Sequence, residues 1–105
     1  MNNVNDIWSE AFPSRLASEL TAISDAAVMR AFLRDVMTEK EIIEISARLR
    51  AAEMLRQGTT YVQIARATKL SSRTIARISD WRQNGTGGYA TILDAHAHVS
   101  PAPAD

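Results

Sequence analysis

Apolar residues recur along the chain at spacings of three and four, with polar residues between them, and this pattern predicts helices throughout. The first predicted helix covers about 14–23, opened by Pro13, because proline is well tolerated in a first helical turn. The second covers 26–37, with Ser24 or Asp25 as its N-cap. The sequence therefore predicts an all-α chain.

The longest predicted helix runs from Thr38 to about Gln57. Thr38 and Glu41 have the spacing of a capping box, and Gly58 is a suitable C-cap. Its apolar surface is wider than one seam, which favours a second copy of the chain as its cover. The alternative is a core helix with one solvated side. We expect residues 13–58 to form the core and dimerisation helices of a homodimer.

Two short helices joined by a tight turn are predicted over 60–83, as a helix-turn-helix. Thr60 and Gln63 repeat the capping-box spacing, and Ser71 is an N-cap candidate for the second helix. Glycine would be favoured at the turn position that Lys69 occupies. A non-glycine residue in a left-handed conformation lowers the stability of the fold by about 1 kcal/mol.

Charge is concentrated in this hairpin. Residues 60–84 carry five basic side chains and one acidic side chain, although the whole chain has a formal net charge of zero. Such donors contact phosphates and base edges when a helix enters the major groove. The candidate DNA-binding residues are Arg66, Lys69, Ser71, Ser72, Arg73, Thr74 and Arg77. The alternative is a polar hairpin whose basic face is simply solvated.

The chain after residue 83 begins with the sequence NGTGG, which ends a helix and allows a turn. A last short helix is predicted over 89–99, followed by a loose tail. We therefore expect one helical domain of 105 residues, in which 84–105 form the turn, the short helix and the tail.

Several classes of function find no support in the sequence. There is no cysteine, and neither a signal peptide nor a transmembrane pattern, so we expect a cytoplasmic protein that does not contact a membrane. His96 and His98 are the one metal-like pair, but they lack further ligands, so we predict no metal. No nucleophile motif or acid/base pair occurs, and we expect neither an enzyme nor a cofactor.

The segments MTEKEIIEISARLRAAEMLRQG and TYVQIARATKLSSRTIARIS, followed by NGTGGY, resemble the tryptophan repressor superfamily, and in particular its YerC/YecD-type group. The resemblance covers residues 36–81. It implies an all-α fold in which two chains interlock their N-terminal and central helices. It also implies a DNA-reading hairpin at each end of the dimer.

The resemblance further implies an effector pocket between the central helix and the recognition helix. The family's corepressor-binding positions fall on Thr38, Arg48, Thr74 and Arg77. At Ile78 the tryptophan repressor has a glycine that leaves room for the ligand, so this chain favours no effector or a different one over tryptophan. Alternatively, Arg48 pairs with Glu44 and Arg77 holds a phosphate.

We therefore expect a homodimeric, sequence-specific regulator that binds double-stranded DNA and acts as a repressor. Two alternatives remain open from the sequence. One is a helical protein–protein interaction module that uses the hairpin as a scaffold. The other is a repressor that responds to tryptophan or to another small molecule.

Overall fold

The computed structural model describes residues 6–98, with side chains through residue 95. Within this range the chain is helical and contains no strand, so the predicted all-α class is confirmed. A 3-10 turn at Ile7–Ser9 precedes six α-helices. They are α1 (Ala11–Ala22), α2 (Ala26–Val36), α3 (Glu39–Arg56), α4 (Tyr61–Thr68), α5 (Ser72–Asn84) and α6 (Gly88–His98). The predicted tail beyond the end of α6 lies outside the described residues.

Helix α1 begins three residues earlier than the predicted position 14, at Ala11. Pro13 is the third residue of the helix and not its opener. Proline is tolerated at this third position because the N–H groups of the first helical turn have no intrahelical partners, so a proline there removes no hydrogen bond. Ser14 then donates the first helical hydrogen bond, to the carbonyl of Glu10 at 3.1 Å.

The predicted caps of α2 and α3 are present. The Asp25 carboxylate accepts the Ala27 N–H at 2.7 Å, which makes Asp25 the N-cap of α2. Thr38 and Glu41 form the reciprocal pair of a capping box, in which each side chain accepts the other's backbone N–H.

The end of α3 is a Schellman motif built around Gly58. The Gly58 N–H donates to Leu55 at 3.0 Å, and the Thr59 N–H donates to Met54 at 3.0 Å. Gly58 has a φ of 82°, which a side chain would make unfavourable. The long helix therefore stops where its local sequence dictates.

The chain folds as two compact units, Met1–Ile42 and Ile43–Asp105. In the first unit, no described residue is buried. Phe12 is 90% exposed and Trp8 54% exposed. Leu20, Phe32 and Leu33 are half-buried, so the helices of this unit cover their apolar faces only in part. The predicted single domain and its internal boundaries stay a prediction.

The second unit contains a buried core. Its members come from α3, α4, α5 and α6. They are Ala51, Ala52, Met54, Ile64, Ile75, Ile78 and Leu93. The sequence pattern predicted an apolar surface on α3 wider than one seam and did not single out its core-facing side. In the structure Ile45 and Leu49 remain about half exposed, whereas Ala51 and Ala52 are fully buried. Both alanines lie in the core cluster with residues of α4, α5 and α6.

Candidate nucleic-acid interface

Helix α4 begins with the capping box that the sequence predicted. The Thr60 hydroxyl accepts the Gln63 N–H at 3.2 Å, and the Gln63 side chain accepts the Thr60 N–H at 3.4 Å. Both interactions pair backbone donors that a helix start leaves free. Ile64 is the buried residue of this eight-residue helix. Local capping and one anchor therefore hold α4 in place.

The turn after α4 passes through Lys69, which adopts the left-handed conformation with φ 65° and ψ 13°. Thr68 braces this turn. Its hydroxyl donates to the Ile64 carbonyl at 2.7 Å and accepts the Leu70 N–H at 3.3 Å. One side chain thus links the last turn of α4 to the residue after the bend.

Ser71 caps α5, as the sequence predicted. Its hydroxyl oxygen accepts the Thr74 N–H at 3.1 Å, and its proton is donated to the Thr74 hydroxyl at 3.1 Å. Since a serine hydroxyl has one proton, the Ser71 side chain has no second donor for an external acceptor. The Thr74 hydroxyl keeps its own proton available.

The inner face of α5 anchors the hairpin. Ile75 and Ile78 are fully buried, and they share a core with Ile64 of α4 and with Ala51 and Ala52 of α3. Burying an isoleucine side chain stabilises a fold by about 1.5–3 kcal/mol. Helix α5 is therefore fixed by packing, and its opposite face is left to solvent.

Four of the five basic residues of the hairpin lie at its solvent-exposed surface, on α4, in the turn and on α5. Arg66, Lys69, Arg73 and Arg77 are all exposed. Within the described residues, none of these four forms an ion pair, whereas the arginines of all four ion pairs lie outside 60–84. Asp80, the one acidic residue of the hairpin, accepts a hydrogen bond from Asn84 at 2.9 Å and does not neutralise an arginine. The hairpin therefore presents unpaired positive charge.

The structure brings the seven predicted DNA-binding residues together on one short segment, from the last turn of α4 to the second turn of α5. Ser72 is exposed at the first position of α5, and Thr74 is half-buried. Their arrangement agrees with the predicted hairpin. Contact with DNA by any of them remains a prediction.

Two of the predicted effector positions, Arg48 and Thr38, already make interactions within the chain, whereas Arg77 is exposed and forms no ion pair among the described residues. The Arg48 guanidinium contacts the Glu44 carboxylate at 3.1 Å, which is the alternative pairing that the sequence allowed. Arg48 is half-buried, and its Nε has no partner among the described residues. The hydroxyl of Thr38 is engaged in the cap of α3. Ile78 has no exposed surface.

The second unit contains an apolar cavity that the sequence did not predict. It has a volume of about 640 Å³ and is open to solvent. Its lining residues come from α3, α5, α6 and the turn before α6, and include Ile45, Leu49, Trp81, Tyr89 and Ile92. These residues are far apart along the chain, so only the breadth of the apolar surface on α3 hinted at them.

Tyr89 lies at the edge of this cavity and packs against the core. Burial raises the pKa of the Tyr89 hydroxyl above its ordinary value of 10.0, and the nearby charge of Arg48 partly offsets that effect by lowering it. The hydroxyl is therefore neutral at physiological pH.

The described residues contain neither a metal-binding cluster nor a helix that could span a membrane. No group of three or more His, Cys, Asp or Glu suited to holding a metal ion occurs in the part of the chain that the structure describes. The side chains of His96 and His98 lie outside that part. Among the described helices, none combines the length and apolar character needed to cross a bilayer.

Comparison with known proteins points to one family. The family model described as Trp repressor protein matches residues 14–97. YerC of Bacillus subtilis strain 168, itself an uncharacterised protein, is 32% identical over 80 residues, which are 76% of this chain and 77% of YerC.

Two solved structures are similar in fold. A TrpR-like protein from Eubacterium eligens ATCC 27750 has a TM-score of 0.83 and 28% identity, over 92% of this chain and all of the other. A candidate Trp repressor from Staphylococcus aureus has a TM-score of 0.75 and 31% identity, over 82% of this chain and 86% of the other. The sequence, the helix order and both neighbours agree, and the chain belongs to the Trp repressor family.

Proposed function

We propose that the protein is a homodimeric regulator of transcription that binds double-stranded DNA sequence-specifically and acts as a repressor. The observation that carries the proposal is the set of exposed, unpaired cations on a rigidly capped hairpin. Outside the hairpin, Arg15, Arg48, Arg50 and Arg56 have carboxylate partners, whereas Arg30, Arg34 and Lys40 form no ion pair among the described residues. The hairpin is therefore distinguished by the concentration of its unpaired cations on one short segment. Family membership supports the same function.

Different residues of the hairpin serve different roles in this proposal. Arg66 and Lys69 contact phosphates and position the hairpin, together with the N–H groups at the start of α5. Arg73 and Arg77 approach base edges, where bidentate arginine contacts with guanine give specificity. Thr74 contributes the hydroxyl proton that Ser71 leaves free.

A second copy of the chain accounts for the exposed apolar surface. No described residue of the first unit is buried, and Phe12 is almost fully exposed. Soluble monomers rarely expose large contiguous apolar patches. A dimer also suits a helix-turn-helix protein, because two hairpins can engage two half-sites of one operator.

We further propose that the protein needs no tryptophan to bind DNA. Ile78 is fully buried where the tryptophan repressor has a glycine, so the space for an indole is filled by a packed side chain. Glu44 engages Arg48, one of the positions that would flank the ligand. The recognition helix is thus held by its own core.

Selection of duplexes from a random library, followed by a salt titration of the best sequence, tests the proposal. We expect log Kd to rise steeply with log salt concentration, with a slope of roughly 0.9 per phosphate contacted. Binding to a protein partner but to no duplex would contradict it and support the interaction-module alternative. Arg15→Ala, which removes a paired cation outside the hairpin, is the matched control for Arg66→Ala.

A further inference from the structure

The outer face of α5 contains one small apolar position among polar residues. The exposed side chains of this helix are Ser72, Arg73, Ala76, Arg77, Asp80, Trp81, Gln83 and Asn84. Trp81 lies toward the apolar cavity, where it lines the wall with Ile45 and Leu49. Ala76 is therefore the apolar residue that remains on the basic face.

Helical geometry places Ala76 to one side of the middle of that face. At 3.6 residues per turn, Arg73 and Asp80 lie within roughly 20° of each other around the axis. Ala76 lies roughly 40–60° to one side of them, and Arg77 lies at a similar angle to the other side. Since Ala76 ends at Cβ while Arg73 and Asp80 extend further, it forms a shallow apolar depression bordered by longer polar side chains.

An apolar depression favours contact with an apolar group of the major groove over contact with a hydrogen-bond donor or acceptor. Base edges there present hydrogen-bond donors and acceptors, together with a single apolar group, the 5-methyl group of thymine. A donor or acceptor pressed against Ala76 would lose its water and gain no partner, which is unfavourable. A methyl group would lose no hydrogen bond and would bury apolar surface.

We infer that Ala76 is a specificity-determining residue that contacts the 5-methyl group of a thymine in each operator half-site. This inference rests on the proposed DNA-binding function and adds a base preference to it. The thymine lies next to the base that Arg73 contacts, because Ala76 is about one turn after Arg73 and within roughly 60° of it around the helix axis. The alternative is that Ala76 is small only so that α5 can enter the major groove without a steric clash. In that case binding would not depend on a thymine methyl group opposite Ala76.

Replacing each thymine of the selected duplex by deoxyuridine, one at a time, removes only the methyl group. For the unmodified protein we expect one such replacement per half-site to weaken binding about three- to fivefold. This is the fold-change that corresponds to about 0.8 kcal/mol for one buried methyl-sized group. Affinity is measured by fluorescence anisotropy at a fixed salt concentration.

Two variants at position 76 test whether this residue makes the contact. For Ala76→Gly, the ratio of the affinity for the thymine duplex to the affinity for the uracil duplex should fall to about one. Any loss of affinity caused by a glycine in the helix affects both duplexes equally and cancels in this ratio. Ala76→Ser should also lower the ratio, because its hydroxyl would be left without a partner against a methyl group. Ala67→Gly, at an exposed position of α4, is the matched control and should keep the full ratio.

The outcomes are distinguishable. A selected duplex that binds with steep salt dependence, but shows no uracil-sensitive position, overturns this inference and leaves the proposed function standing. A uracil effect that is unchanged in Ala76→Gly and Ala76→Ser also overturns it. If the unmodified protein selects no duplex, both the proposed function and this inference fail.

Discussion

The Gly85 N–H donates to the Trp81 carbonyl at 2.9 Å, and a Cβ atom added to Gly85 would overlap that same carbonyl oxygen. Gly85 has an ordinary φ of −84°, so its requirement for glycine comes from this close approach and not from its backbone conformation. This hydrogen bond ends α5 at its C-cap, Gly85, and the residues that follow line the apolar cavity.

Gly85→Ala is therefore expected to lower the free energy of unfolding by about 1–3 kcal/mol, the usual cost of overpacking. Gly88→Ala is the matched control, since a Cβ there would meet nothing within 4 Å and the residue is the first of α6. The control should be neutral or stabilise by up to about 1 kcal/mol. Urea unfolding of both variants at one protein concentration gives the comparison, and equal stabilities would contradict the steric argument.

Arg73 and Lys69 are expected to differ in the kind of DNA binding that they support. Arg73→Ala should lower discrimination between the selected duplex and random DNA by about 1–3 kcal/mol, the value of a bidentate base contact. Lys69→Ala should weaken binding to both duplexes alike and reduce the salt slope by about 0.9. Identical behaviour of the two variants would show that this division of roles is wrong.

A glycine at position 69 separates the charge of Lys69 from its backbone strain. Lys69→Gly should lose as much DNA affinity as Lys69→Ala, because both remove the same cation. It should exceed Lys69→Ala in stability by about 1 kcal/mol, because glycine adopts the left-handed conformation found there without a steric cost. Thermal unfolding measures this difference, and an alanine variant of equal stability would contradict it.

Phe12 offers a direct test of the dimer. In a monomer this side chain is 90% exposed, so Phe12→Ser should change stability by less than about 0.5 kcal/mol. In a dimer that covers Phe12 the variant should be less stable by about 1.5–3 kcal/mol. Ala22→Ser, at an exposed position at the other end of α1, is the control.

The unmodified protein should also melt at a temperature that rises with protein concentration, as expected when folding and association are linked. Sedimentation at micromolar concentration should give the mass of two chains. A monomer whose melting temperature is independent of concentration would contradict the proposed homodimer.

Tryptophan is expected to leave the protein unchanged. Calorimetry should detect no saturable binding, and neither DNA affinity nor melting temperature should respond. Ile78→Gly is expected to destabilise the fold by at least about 2 kcal/mol, because it removes a fully buried side chain and adds a helical glycine. Ile78→Val, which keeps most of the side chain, should cost only about 0.5–1.5 kcal/mol. Tryptophan binding that strengthens DNA affinity would refute the proposal.

Stability should fall at alkaline pH because of Tyr89. Burial raises the pKa of its hydroxyl in the folded protein above the ordinary 10.0, and Arg48 offsets this only in part. The protonated form is therefore favoured by folding, so its contribution is complete below pH 10 and is lost as pH rises through the folded pKa. Tyr89→Phe cannot ionise, and its melting temperature should fall less above pH 10 than that of the unmodified protein. Parallel curves would contradict this.

The sequence predicted the helices well because their ends follow local rules. The Thr60 capping box, the Ser71 cap and the glycine after α3 each act within a few residues, so a short window is sufficient to find them. The start of α1 was wrong because a first turn tolerates proline at more than one position. Local rules could not locate that boundary.

Long-range features could be predicted less well. Helix α3 has apolar residues on several sides, so its pattern could not show that Ala51 and Ala52 face the core while Ile45 and Leu49 remain half exposed. That outcome depends on how closely other helices approach. The basic residues of the hairpin were found from composition, but their lack of ion partners depends on side-chain positions in three dimensions.

The fully buried part of the core beneath α5 has little rotameric freedom, although Met54 and Leu93 of the same core are more flexible side chains. Its fully buried members are two alanines, which have no χ1 angle, and three isoleucines, whose χ1 angle is nearly fixed in a helix. Few alternative packings are therefore available to α5 on α3. A ligand can shift a conformational equilibrium only when a second arrangement lies within reach. For the proposed DNA-binding protein, the fully buried part of the core therefore gives an effector few alternative packings of α5 to select.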